Sequence, residues 1–110
     1  MRREQALREL EAAALHVLAR AKKIHLAEEL GDQEMRSNEI YHLGGDLERH
    51  LAAMAAVGPR SAESRRHWDI YESATAILMK HDTSKLDQVI GELEQFRKEL
   101  TAGLREETSP

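Results

Sequence analysis

The sequence predicts an all-α protein, an antiparallel up-down four-helix bundle. Apolar residues recur at spacings of three and four along most of the chain, which is the period of an amphipathic helix. β-branched residues are sparse and never alternate with polar ones, so a sheet is not expected. Short connections separate the apolar repeats, which makes sequential helices antiparallel neighbours. In the alternative arrangement, homodimerisation completes or extends the bundle.

The chain is expected to form one helical-bundle domain, residues 1–110, because its length suits a single core. Helices are predicted at about 3–30, 33–57, 61–80 and 84–105, with a frayed tail over 106–110. Hydrophobic residues make up 41% of the sequence but aromatic residues only 4%. The core must therefore be mainly aliphatic.

The first helix carries two apolar stripes, which predicts that it contacts neighbours on two sides. The main stripe consists of Leu7, Leu10, Ala14, Val17, Ala21 and Ile24. The second consists of Leu15, Ala19, Leu26 and Leu30. Gly31 and Asp32 should end this helix, because glycine suits the left-handed position that follows a helix C-terminus.

The second helix has a stripe that a glycine pair interrupts. The stripe is Ile40, Leu43, Leu47, Leu51 and Met54. Gly44 and Gly45 each cost about 1 kcal/mol relative to alanine in a helix interior. Close packing against the first helix, opposite Ala19 and Ala21, is the preferred explanation; a bend or a break is the alternative.

The third and fourth helices have clear starting signals. Gly58-Pro59-Arg60 predicts a turn, and Ser61 is a suitable N-cap for the third helix. The stripe of the third helix, at spacings of four and three, consists of His67, Tyr71, Ala74, Leu78 and His81. Side-chain oxygens at 82–84 are expected to cap the fourth helix. That helix repeats Leu86, Val89, Leu93, Phe96, Leu100 and Leu104.

Composition and motifs disfavour several classes of function. The chain lacks cysteine, which excludes disulfides, thiolate zinc sites and cysteine nucleophiles. The net charge is −4 with interspersed charges, so a nucleic-acid partner is not expected.

The longest apolar run, 51–57, is too short to span a membrane, and the N-terminal residues lack the apolar stretch of a signal peptide. A cytoplasmic protein without a membrane partner is therefore expected. Phosphate loops, serine-nucleophile motifs and metalloprotease motifs do not occur, which favours a protein that is not an enzyme without deciding the point.

Histidines on or beside the apolar stripes are the main functional signal. Counting 1.5 Å per residue from each turn predicts two polar layers. One layer joins His25, Glu39 and His81; the other joins His50 and His67, with Asp46 between them. Imidazoles and carboxylates in a bundle interior suit iron, zinc or nickel. The candidate metal ligands are His25, Glu39, His42, Asp46, His50, His67 and His81. The alternative is that these histidines are structural.

Glu39-Ile40-Tyr41-His42 has a Glu-x-x-His spacing that resembles one half of the ferritin-like carboxylate site. That fold uses the motif twice, whereas this chain carries it once. The resemblance therefore implies a second copy supplied by a dimer. His42-x-x-x-Asp46 resembles part of a hemerythrin-like iron site, although the histidine pairs of the other helices are missing.

Aromatic residues away from the main stripes indicate a partner surface. Trp68 lies roughly 100° from the stripe of its helix, on the same side as Thr75 and Met79, and Tyr41 also points away from its stripe. Tryptophan and tyrosine are enriched at interface hot spots. The preferred hypothesis is a small, non-catalytic binding or adaptor module, homo-oligomeric or bound to another protein. The alternative is a metal-binding bundle for storage, sensing or oxidation.

Overall fold

The computed structural model describes residues 2–58 and 60–108, and it confirms the all-α four-helix bundle. The helices are α1 (Arg3–Leu30), α2 (Gln33–Val57), α3 (Ala62–Lys80) and α4 (Leu86–Thr108). Each helix packs against its neighbours in a ring, most extensively between α1 and α2 and most sparsely between α3 and α4. The bundle is elongated, measuring 50 × 21 × 18 Å.

Contacts show that α1–α2, α2–α3 and α4–α1 each run antiparallel, which makes α3 and α4 antiparallel as well. As residue numbers rise along one helix, the numbers of their partners fall along the next. The pairs that define this order are Arg20–Asp46 and Glu28–Arg36 for α1 and α2, His50–His67 and Arg36–His81 for α2 and α3, and Lys22–Glu94 and His25–Asp87 for α4 and α1. The up-down topology expected from the short connections is therefore present.

Caps account for the end of α1 and for the starts of α2 and α3. Gly31 adopts a left-handed backbone (φ 66°) at the end of α1, as predicted. The Asp32 carboxylate accepts a hydrogen bond from the Met35 N–H at 3.0 Å and starts α2. The Ser61 hydroxyl accepts from the Ser64 N–H at 3.1 Å and starts α3, which confirms that N-cap. Pro59 of the predicted turn lies outside the described residues.

The fourth helix differs from its predicted bounds at both ends. It starts at Leu86, because Asp82 accepts a hydrogen bond from the Ser84 N–H and holds a turn ahead of the helix. It continues to Thr108, three residues beyond its predicted end at 105. Residues 109–110 of the predicted tail lie outside the described part of the chain.

The core is aliphatic and follows the predicted main stripes, apart from His81 at the end of the α3 stripe, which is exposed, and two further exceptions. Every residue of the α4 stripe and of the main α1 stripe is buried. Leu51 was predicted to be core but is 40% exposed. The second α1 stripe was predicted to contact a neighbour but faces outward; its exposed members are Leu15, Ala19, Leu26 and Leu30.

The glycine pair does not serve the role expected of it. Helix α2 runs through Gly44 and Gly45 without a break. A Cβ built on Gly44 would lie 3.6 Å from Leu78 Cδ2, so this glycine faces α3 rather than α1. A Cβ on Gly45 would meet nothing within 4 Å. Close packing against α1 is therefore not the reason for either glycine.

Within the described residues, no helix is both long enough and apolar enough to cross a membrane.

Candidate functional site

A pair of histidines lies buried between α2 and α3. His50 and His67 are both fully buried, and the Nε2 of His50 is hydrogen-bonded to the Nδ1 of His67. Their ring centroids are 4.6 Å apart with an interplanar angle of 66°. The predicted layer of these two histidines therefore exists, at the level where the antiparallel count placed it.

The outer nitrogens of the pair have no hydrogen-bond partner among the described residues: Nδ1 of His50 and Nε2 of His67. A neutral imidazole has one N–H donor and one acceptor nitrogen. Whichever ring donates the shared hydrogen bond, one outer nitrogen is an unpaired donor and the other an unpaired acceptor. Buried polar groups are normally paired, so this pair is a costly feature of the core.

The surroundings of the pair are apolar and keep it neutral. The His67 ring lies edge-on to Phe96, with centroids 3.4 Å apart, and Tyr71 lies 6.4 Å from His50. Burial lowers the pKa of His50 to about 4. Burial, and then the nearby His50 and Arg66, lower the pKa of His67 to about 3. Both rings are therefore neutral near pH 7.

Asp46, predicted to lie between the two polar layers, is paired with Arg20 and joins neither of them. Arg20 donates to Asp46 Oδ2 at 2.8 Å and to Glu39 Oε2 at 2.5 Å. Hydrogen bonds to Asp46 and then Glu39 raise the pKa of Arg20. Asp46 is buried and Glu39 half-buried, so this three-residue network joins α1 to α2 at the edge of the core. Arg20 was not among the predicted site residues, although its height between Glu39 and Asp46 of the facing helix is a detectable signal.

The other predicted layer, His25 with Glu39 and His81, does not form. His25 lies 2.9 Å from Glu29 and 3.6 Å from Asp87, facing α4. His81 is exposed and caps α3 with a left-handed backbone (φ 53°). Counting about 1.5 Å per residue from each turn gives the height of a residue along the bundle but not the direction of its side chain around the helix. The side chains of these three residues point in different directions.

The predicted ferritin-like half-site is also not assembled. Glu39 is held by Arg20, and His42 is exposed with its ring 5.4 Å from that of Tyr41. Within the described part of the chain, no three histidine, aspartate or glutamate side chains are placed to hold a metal ion together. Of the seven candidate ligands, the structure brings only His50 and His67 into direct contact with each other.

The second candidate site is the outer face between α2 and α3, here called the Trp68 face. It comprises Tyr41, Leu51, Ala55, Arg65, Trp68, Glu72, Thr75 and Met79. Trp68 is 49% exposed, and its ring stacks on Tyr71 with centroids 5.6 Å apart. Tyr41 and Met79 are 78% and 74% exposed, whereas Thr75 is half-buried and donates to the Tyr71 carbonyl.

A groove of about 400 Å³ runs along this face beside Trp68. Its lining is Leu51, Met54, Ala55, Ser64, Arg65 and Trp68. The residues predicted for this face were Trp68, Tyr41, Thr75 and Met79, whereas Leu51 was predicted to be core and Ala55 was not predicted. The groove depends on the lateral spacing of two helices, which the pattern of one helix does not specify.

No protein-family model, curated protein or solved structure matches this chain.

Proposed function

We propose that this protein is a small, cytoplasmic, non-catalytic binding module that acts as a homo-oligomer through the Trp68 face. The observation that carries the proposal is Trp68 itself. It is half-exposed, stacked on Tyr71, and beside an apolar groove. A large aromatic ring held in place next to a groove loses little conformational entropy on binding, which is the usual character of an interface hot spot.

The exposed α1 stripe is a weaker candidate for the same role. Lys22 lies between Ala19 and Leu26 and pairs with Glu94 of α4 at 3.0 Å. A charged pair therefore interrupts that apolar surface. The Trp68 face combines an aromatic stack, a groove and three further exposed apolar side chains, so it is the better docking surface.

The test is the oligomeric state of the Trp68→Ala variant, measured by sedimentation over a range of protein concentrations. We expect the wild type to associate, with a blue shift of Trp68 fluorescence as the concentration rises, and the variant to remain monomeric. Leu26→Ala is the matched control, because Leu26 is about equally exposed but lies on α1. A wild type that stays monomeric at high concentration, with Trp68 freely quenched, would contradict the proposal.

Binding of iron, zinc or nickel is the second candidate function, with metal storage, sensing or oxidation as the corresponding role. One observation favours it: His50 and His67 are neutral imidazoles whose nitrogens face each other in the core. Titration calorimetry with Zn²⁺, Ni²⁺ and Fe²⁺ tests it. Binding that His67→Ala abolishes and the exposed His16→Ala retains would support this candidate; affinities no tighter than millimolar would eliminate it.

A further inference from the structure

We infer that the occupant of the Trp68 face is a second copy of this chain whose α3 helix runs antiparallel, with Arg65 opposite Glu72 of the partner subunit. This inference rests on the proposed function and specifies its partner and register. It places a twofold axis beside Trp68, midway between the two charged residues.

Five side chains of α3 share one outward direction. At 100° per residue, Arg65, Trp68, Glu72, Thr75 and Met79 fall within an arc of about 80°. The buried positions of α3, such as His67 and Ala74, lie on the other side of the helix. The arc adjoins α2, since Trp68 and Arg65 line a groove with Leu51 and Ala55. A flat partner surface can therefore contact the whole length of α3.

The charges on this arc are self-complementary only in one orientation. Arg65 and Glu72 are exposed, and neither forms an ion pair within the described part of the protomer. They lie seven residues apart, about 10 Å along the helix axis. When the second α3 runs antiparallel and the twofold axis lies between Trp68 and Asp69, Arg65 of each protomer lies opposite Glu72 of the partner subunit. This arrangement forms two ion pairs. A parallel α3 would place Arg65 against Arg65 and Glu72 against Glu72.

The size of the face suits a reversible dimer. Helix α3 has 19 residues, which gives a length of about 28 Å. In the proposed register the two α3 helices overlap over residues 62–75, about 21 Å, and two adjacent helices present a width of about 20 Å. Each protomer would therefore bury roughly 400 Å² and the dimer about 800 Å², which is the size of a weak, transient interface. In this register Trp68 lies beside Trp68 of the partner subunit at the twofold axis, so the two exposed rings form the centre of the interface.

A charge exchange on the full chain tests the register. Arg65→Glu and Glu72→Arg each place like charges at both pairing positions, so each should weaken the dimer at least about tenfold. The double variant Arg65→Glu/Glu72→Arg restores opposite charges and should return the dissociation constant to within about threefold of wild type. Arg97→Glu, an exposed change on α4, is the control for net charge. Circular dichroism verifies that every variant folds.

The outcomes separate this inference from the proposed function. Weakening by each single change with recovery in the double variant supports the antiparallel register. If the two single charge variants and the double variant all dimerise with wild-type affinity while Trp68→Ala is monomeric, the register is wrong. The proposed function is then still supported. A dimer that persists in Trp68→Ala overturns both. If Arg97→Glu weakens the dimer as much as Arg65→Glu does, the register is also wrong, because the change in net charge then explains the weakening.

Discussion

His50 and His67 make one hydrogen bond with each other and leave two buried nitrogens without partners among the described residues. The two rings depend on each other, because removing one leaves the other with no partner at either nitrogen. An apolar pair of the same size would need no partners at all. Mutations at the two positions should therefore have coupled effects on the stability of the bundle. The stability should also depend on pH, because protonation of the buried rings is unfavourable.

Acid should destabilise the protein through these two histidines. The pKa of His50 falls to about 4 and that of His67 to about 3, whereas both are near 6.5 in the unfolded chain. The unfolded state binds protons first as the pH falls, so stability is complete above about 6.5 and declines below it. The slope approaches about 1.4 kcal/mol per pH unit for each histidine between pH 6 and 4. Denaturant unfolding at several pH values measures it, and a flat profile from pH 7 to 4.5 would refute the assignment.

Replacing both histidines should cost less than replacing one. His50→Leu and His67→Leu should each destabilise by about 1–3 kcal/mol, because the remaining ring is buried with no hydrogen bond. The double variant removes every unpaired nitrogen, so it should lose less stability than either single variant and far less than the sum of the two single losses. It should also lose the acid sensitivity described above. Additive losses in chemical denaturation would mean that the two rings are not coupled.

Alanine at the α2 glycines should stabilise the helix. A Cβ on Gly45 meets nothing within 4 Å, and one on Gly44 makes ordinary contact with Leu78, so each change should add about 0.5–1 kcal/mol. Gly31→Ala is the control: it also has open space but a left-handed backbone at φ 66°, so it should destabilise. Thermal unfolding distinguishes them. A loss of stability in Gly45→Ala would show that helix propensity does not govern this position.

The Arg20 network should contribute more than a surface ion pair. Arg20→Met leaves the buried Asp46 carboxylate without its cation and should cost about 1–3 kcal/mol. Arg66→Met, which breaks the exposed pair with Glu99, should cost under about 1 kcal/mol. Both are read from urea midpoints. If the two losses are equal, Asp46 is better solvated than its position indicates.

The sequence was sufficient for the architecture because the relevant signals are local. Apolar spacing defines each helix face, and residues such as Gly31 and Ser61 define helix ends through their own backbone and side-chain chemistry. The start of α4 was missed because residues 82–84 all have side chains that suit an N-cap. The helix instead starts at Leu86, and the Asp82 carboxylate accepts from the Ser84 N–H within the turn before it.

The candidate site was only partly predictable because it depends on directions around the helices. Counting along antiparallel helices correctly placed His50 level with His67. The same count placed His25 level with Glu39, yet one faces α4 and the other faces Arg20 of α1. Leu51 continued the α2 stripe in sequence but lies at its edge, where the spacing between α2 and α3 leaves it half-exposed beside the groove.

The sparse contact between α3 and α4 has a consequence for motion. Helix α3 is secured mainly by α2, so the lowest-energy opening of the bundle separates α3 from α4 and brings water to the ring of Phe96. Amide hydrogens in α3 should then exchange with solvent sooner than those in the α1–α2 hairpin. A partner that docks on α3 would slow that exchange, so association and local rigidity would rise together in this protein.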